Sequence, residues 1–199
     1  MPNSTLCLFA TMILFLPLSA LAQTHGQTSN SASYAGLESR EIKSLSEADI
    51  AELRRGGGWG LALPAELNGR PGPAHLLELK DEIQLSDDQV AQISQIFDEM
   101  QQEAISAGER LIGAEAALSE AFAAEQLDDG QLEELVKSAE AIRAELRFIH
   151  LSRHLATTPI LTADQIQKYQ VLRGYASDPC DSVPEGHDPQ MWKSHNDCT

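Results

Sequence analysis

The sequence predicts an all-α protein built on a long antiparallel helical hairpin with short flanking helices. Three observations carry that reading. Ala, Leu, Glu and Gln dominate a chain that is 42% hydrophobic but only 5% aromatic, a balance that suits helices better than sheets of β-branched and aromatic side chains. No proline interrupts residues 74–158. Within that stretch, apolar residues recur in steps of three and four on two segments separated by Leu127-Asp128-Asp129-Gly130, which is the periodicity of two helices packed side by side.

The elements follow in chain order. Residues 1–22 read as a secretory signal: 6–18 is almost wholly apolar, Pro17 interrupts the run, and Ala20-Leu21-Ala22 supplies small residues before Gln23. No Lys or Arg precedes the run, and an uncleaved membrane anchor is the alternative. The run is short for a span and carries a cleavage site, so cleavage and a periplasmic location are expected. Residues 23–38 are polar and lack apolar periodicity, as expected of a disordered leader. The next block, 39–72, holds short helices and a Gly/Pro-rich loop. Ser46 and Asp49 start a short helix that Arg54, Arg55 and Gly56 end. Residues 56–72 contain six glycines and two prolines, with Trp59, Leu61, Leu63 and Leu67 scattered among them, and are expected to lie against the main body.

The hairpin domain is expected over 73–176. A helix with Pro73 in its first turn spans 73–83. The first long helix runs over 87–125, about 60 Å at 1.5 Å per residue, with Val90, Ile93, Phe97, Met100, Ala104, Ala107, Leu111, Ala114 and Leu118 on one stripe. The second runs over 129–157, with Leu132, Leu135, Ala139, Ile142, Leu146 and Ile149. Pro159 stops it, and a last helix spans 163–175. Ile96, Ile105, Ile112, Phe148 and Leu151 fall outside the stripes. The flanking helices cover part of that surface, and a second copy of the chain is expected to cover the rest as a homodimer.

One pattern occurs twice, as Leu85-Ser86-Asp87-Asp88-Gln89 and as Leu161-Thr162-Ala163-Asp164-Gln165. Ser86 and Thr162 read as N-caps, with Gln89 and Gln165 three residues on, and Leu85 and Leu161 at the spacing of a hydrophobic staple. One copy opens the long hairpin and the other opens the helix after it. That arrangement resembles the Spy/CpxP family of periplasmic proteins, which carry paired LTxxQ motifs, over about residues 73–175. The resemblance implies a hooked, often dimeric helical hairpin that acts without ATP in envelope stress. It also implies that Leu85, Ser86, Gln89, Leu161, Thr162 and Gln165 are structural. Some members of that family bind unfolded clients, others inhibit a membrane sensor kinase, and others sense or buffer heavy metals. An ATP-independent chaperone or stress adaptor, with unfolded or envelope proteins as partners, is the first functional expectation. Metal sensing or sequestration is the second.

Two sets of residues could serve the second. His150 and His154 stand four apart on one face of the second long helix, but two ligands do not make a site. His75 or a carboxylate of a partner chain could complete it. The sequence at His150 lacks the Glu of the zinc-protease signature. In the tail, 177–199, Cys180, His187, Met191, His195 and Cys198 offer donors suited to zinc or copper(I). Alternatively, Cys180 and Cys198 form a disulfide, worth roughly 3 kcal/mol in the chain-entropy model. Trp192 is expected to anchor the tail to the body. No cofactor is required by any motif. The chain carries 30 acidic against 14 basic residues, a net charge of -16, which sets nucleic acid aside as a partner. No phosphate loop or Gly-x-Ser-x-Gly elbow is present, so no catalytic residue is expected.

Overall fold

The computed structural model describes residues 32–124, 127–196 and 198. The signal segment and most of the leader expected from the sequence lie outside them. Two units divide the chain, Met1–Ala35 and Gly36–Thr199, and every element below belongs to the second. In order they are α1 (Glu47–Arg54), α2 (Leu63–Glu66), α3 (Pro73–Glu78), α4 (Asp87–Ala123), α5 (Asp129–Thr157), α6 (Ala163–Leu172) and α7 (Pro189–His195), with 3-10 turns at Leu37–Ser39 and Thr158–Ile160. No strand occurs among the described residues.

The hairpin is α4 against α5. Its ion pairs join Glu103 to Arg153, Arg110 to Glu145 and Glu115 to Arg143, so the partners run in opposite chain directions. Met100, Ala104, Ala107, Leu111, Leu146 and Ile149 fill the seam between the two helices. Several seam positions are Ala, which keeps the helices close.

α1 lies on the outer face of α4, and glycine explains how. A Cβ on Gly108 would stand 2.5 Å from the Leu53 carbonyl oxygen, closer than real side chains come. The close approach of α1 is the packing reason for a glycine at position 108. Ile112, outside the predicted stripe, is buried by the same packing, together with Ile42, Leu45 and Leu53.

The two repeated motifs cap α4 and α6 as read, each with a complete capping box. They also hold each other. The Gln89 amide donates to Gln165 Oε1 at 2.9 Å and to the Ile160 carbonyl at 2.8 Å. The Gln165 amide donates to Gln89 Oε1 at 3.0 Å and to the Gln84 carbonyl at 3.2 Å. Each Oε1 also accepts its own cap's backbone N–H. All four bonding capacities of both amides are therefore used, which ties the start of α4 to the start of α6. Beneath this clasp Leu76, Ile83, Ile93 and Tyr169 form a second small core.

Helix ends and the role of Trp192 differ from the sequence reading. α3 ends at Glu78, with turns continuing to Gln84, which sits in the left-handed region at φ 56°. α6 ends at Leu172 because Gly174 turns left-handed at φ 73° and Tyr175 N–H closes back on the Gln170 carbonyl. Trp192 anchors the tail to itself: its indole donates to the Pro179 carbonyl at 2.8 Å and its ring meets His187 edge-on. Cys180 and Cys198 are joined as a disulfide.

Residues 56–62 form a strap over the hairpin, held by Trp59. That residue is in the left-handed region at φ 44°, a conformation costing a bulky residue about 1–3 kcal/mol. Its indole donates to Asp49 at 2.8 Å, and its ring lies under the Arg143 guanidinium. Asp49 is held below the usual carboxylate range, first by the Ser46 hydroxyl and then by the Trp59 indole, with burial opposing. A depressed folded pKa contributes stability above the unfolded value, about 3.9, that is lost as pH falls through the folded value. In a Trp192→Phe background, Trp59 fluorescence is therefore expected to stay flat from pH 7 to about 4 and change only below it. With Asp49→Ala the low-pH signal should already be present at pH 7.

Candidate functional site

A cleft of about 580 Å³ lies between the strap, the segment around 66–75, and the faces of α4 and α5. His150, His154, Glu66, Met100, Trp59, His75 and Arg173 all line it. Both α5 histidines are buried, at 3% and 7% exposure. The four-residue spacing puts them on the face of α5 that the strap and the 66–73 segment cover.

His154 is oriented by the backbone. Its Nδ1 lies 2.6 Å from the Arg70 carbonyl oxygen. A carbonyl only accepts, so Nδ1 carries the hydrogen, and in the neutral ring Nε2 holds the lone pair. That ring lies against Gly72, where an added Cβ would stand 2.7 Å from Nε2. The neighbouring Thr157 hydroxyl donates to the Pro71 carbonyl at 2.6 Å, so two side chains of α5 clamp residues 70–71. His150 has a buried Nε2 with no hydrogen-bond partner. Its pKa is lowered, chiefly by burial and then by His154, with the Gly57 backbone and Glu52 acting the other way. His150 is therefore neutral at neutral pH.

Glu66 is the buried carboxylate of the cleft. It accepts the Tyr169 hydroxyl and stands 3.7 Å from Arg173 Nε and 3.7 Å from His154 Nδ1. Its Oε2 has no hydrogen-bond partner. Burial first, and then the Glu66 bond, push the Tyr169 phenol above its ordinary range. His75 also lines the cleft, but its Nδ1 is engaged by Glu78 at 2.7 Å.

The arrangement presents nitrogen lone pairs, a thioether and a carboxylate toward one space. Among the described residues, no group of three or more His, Cys, Asp or Glu side chains is placed to hold a metal ion. The described residues therefore form no closed metal cage, and the nitrogen donors that line the cleft are those of His150, His154 and His75. The tail is different. The disulfide takes both cysteine sulfurs, His187 packs on Trp192, and Met191 and His195 are exposed on α7. Leu85, Ser86, Gln89, Leu161, Thr162 and Gln165 lie at the clasp and not in the cleft. Sequence reasoning found the two histidines but missed Glu66, Tyr169, Arg173, Gly72 and the Arg70 carbonyl. None of these stands in a motif, and their meeting is a matter of tertiary structure.

A family model described as heavy-metal resistance matches residues 57–168. The match spans the strap, both histidines and both capping motifs and stops before the tail. No curated protein and no solved structure matches the chain. With more than half of its residues matched, the chain belongs to the heavy-metal resistance family, a Spy/CpxP-like helical family.

Proposed function

We propose that the protein is a periplasmic heavy-metal-binding response protein that takes a transition-metal cation in the cleft through His150 and His154. The observation that carries this reading is the state of the two rings. His154 has its Nδ1–H fixed on a backbone carbonyl, the arrangement that orients a metal-ligating imidazole. His150 is buried and neutral, with an unpartnered nitrogen four residues away on the same helix face. Membership of the heavy-metal resistance family supports it. On this reading the protein binds and does not catalyse, and the tail is a disulfide-closed appendage.

A second reading, an ATP-independent chaperone or stress adaptor, has one observation in its favour. Phe148 and Leu155 stand 70% and 58% exposed, one heptad apart on α5. Unfolded or envelope proteins, a sensor kinase or a second copy of the chain are the partners that such a surface would take.

Titration of the purified protein with zinc and copper(I) against chromophoric chelators separates the two. Tight binding at one ion per chain is expected, weakened roughly 100-fold by His150→Ala or His154→Ala and unchanged by His195→Ala. Absence of binding, combined with delayed aggregation of a denatured client in EDTA that Phe148→Ser abolishes, would establish the second reading instead.

A further inference from the structure

Every carboxylate that lines the cleft is already engaged by a neighbouring side chain. Glu52 is paired with Arg55, Glu78 with His75, and Glu66 with Arg173 as well as the Tyr169 hydroxyl. Glu66 meets His154 at Nδ1, the nitrogen turned to the Arg70 carbonyl, and not at the lone-pair nitrogen. Apart from Glu66 Oε2, which belongs to a carboxylate balanced by Arg173 and faces His154 Nδ1, the donors left are neutral: the two imidazoles and the thioether of Met100. Met100 comes from α4, is 5% exposed, and lines the same space as His150 and His154.

We propose that this cleft selects copper(I) over zinc(II), with Met100 as the specificity-determining ligand beside His150 and His154. The proposal rests on the metal reading above and refines it. Two physical arguments support it. Thioether sulfur is a soft donor that suits copper(I), whereas protein zinc sites use thiolate, imidazole and carboxylate. Charge points the same way. Burying an ion costs free energy that rises with the square of its charge, unless counter-charge is at hand. Neutral donors leave one charge uncompensated with copper(I) and two with zinc. Of the carboxylates that would offset the second, Glu52 and Glu66 are balanced by Arg55 and Arg173, and Glu78 is exposed to solvent and bonded to His75.

The test uses the full disulfide-bonded chain. Copper(I) affinity is measured anaerobically against bicinchoninate, and zinc affinity against a chromophoric zinc chelator, for wild type, Met100→Leu and Met191→Leu. Copper(I) is expected to bind at least 100-fold more tightly than zinc. Met100→Leu should weaken copper(I) at least tenfold and leave zinc within about twofold, since Leu nearly conserves volume and the fold. Met191→Leu, in the tail, should change neither. Copper X-ray absorption gives a readout independent of stability: a sulfur neighbour should remain in Met191→Leu and vanish in Met100→Leu. Zinc binding as tight as copper(I), or copper(I) binding indifferent to Met100, would overturn the selectivity while leaving the histidine site standing. Failure of both metals to bind would remove the site itself, and the proposal with it.

Discussion

Replacing Arg143 with alanine is expected to destabilise the protein by about 3 kcal/mol, or roughly 6–12 °C in Tm for a chain of this size. Glu115 is a carboxylate on α4 with only 5% exposure. Its charge is held by the Arg143 guanidinium at 2.5 Å and by the Ser44 hydroxyl at 2.7 Å. Removing Arg143 leaves that charge buried with one neutral donor, and an unpaired buried charge costs far more than its pair contributes. The same guanidinium covers the Trp59 ring and approaches Glu140. Its loss therefore loosens α5, the strap and the segment before α1 together. Because the cost comes from the orphaned carboxylate, a second change should relieve it. Arg143→Met with Glu115→Leu is expected to recover most of the stability, since an apolar pair can replace a buried ion pair at little cost. Chemical denaturation of both variants checks this. A double variant no more stable than Arg143→Ala would show that the cation's packing, and not the carboxylate, carries the effect.

Glu115 also marks where the sequence stops being readable. Helix positions were legible because their determinants are local. The steps of three and four outlined α4 and α5, and the break at Leu127-Asp128-Asp129-Gly130 placed α5 at its observed bounds. Capping chemistry within five residues located the starts of α4 and α6. Polar burial is not local. Glu115 reads as one more acid on an acidic helix until Arg143, on the other arm of the hairpin, is brought against it. Gln89 and Gln165 were each visible as a cap, while their bonds to one another span 76 positions. The cleft shows the same limit. The spacing of His150 and His154 gave a shared face but not whether that face met solvent. Only the packing of residues 56–73 against α5 buries the pair and sets Arg70, Gly72 and Glu66 around it. The tail showed two cysteines with two uses, and nothing in their spacing chose between them.

Gly72→Ala is expected to lower metal affinity by roughly 10- to 100-fold, the range seen when a ligand's orienting contact is lost, with the hairpin intact. Gly72 has φ -87° and ψ 156°, a backbone conformation open to any L-residue, so alanine introduces no torsional strain. What it introduces is a methyl group whose carbon would stand 2.6 Å from His154 Cε1 and 2.7 Å from Nε2. The imidazole cannot yield easily, because it is buried and its far side is bonded to Arg70. Either the ring swings away and breaks the Nδ1–H bond, or the 70–73 segment moves off α5 and takes the Thr157–Pro71 bond with it. The first route misplaces Nε2, both release its tautomer by breaking the bond to Arg70, and the overpacking costs about 1–3 kcal/mol of stability. Metal competition titration and a thermal melt of the same variant measure the two effects. A compensating His154→Ser change should restore the melt without restoring the binding, since it removes the clash and the ligand together. Wild-type affinity in Gly72→Ala, with the stability loss present, would mean that His154 is a structural prop for residues 70–73 and that His150 binds without it.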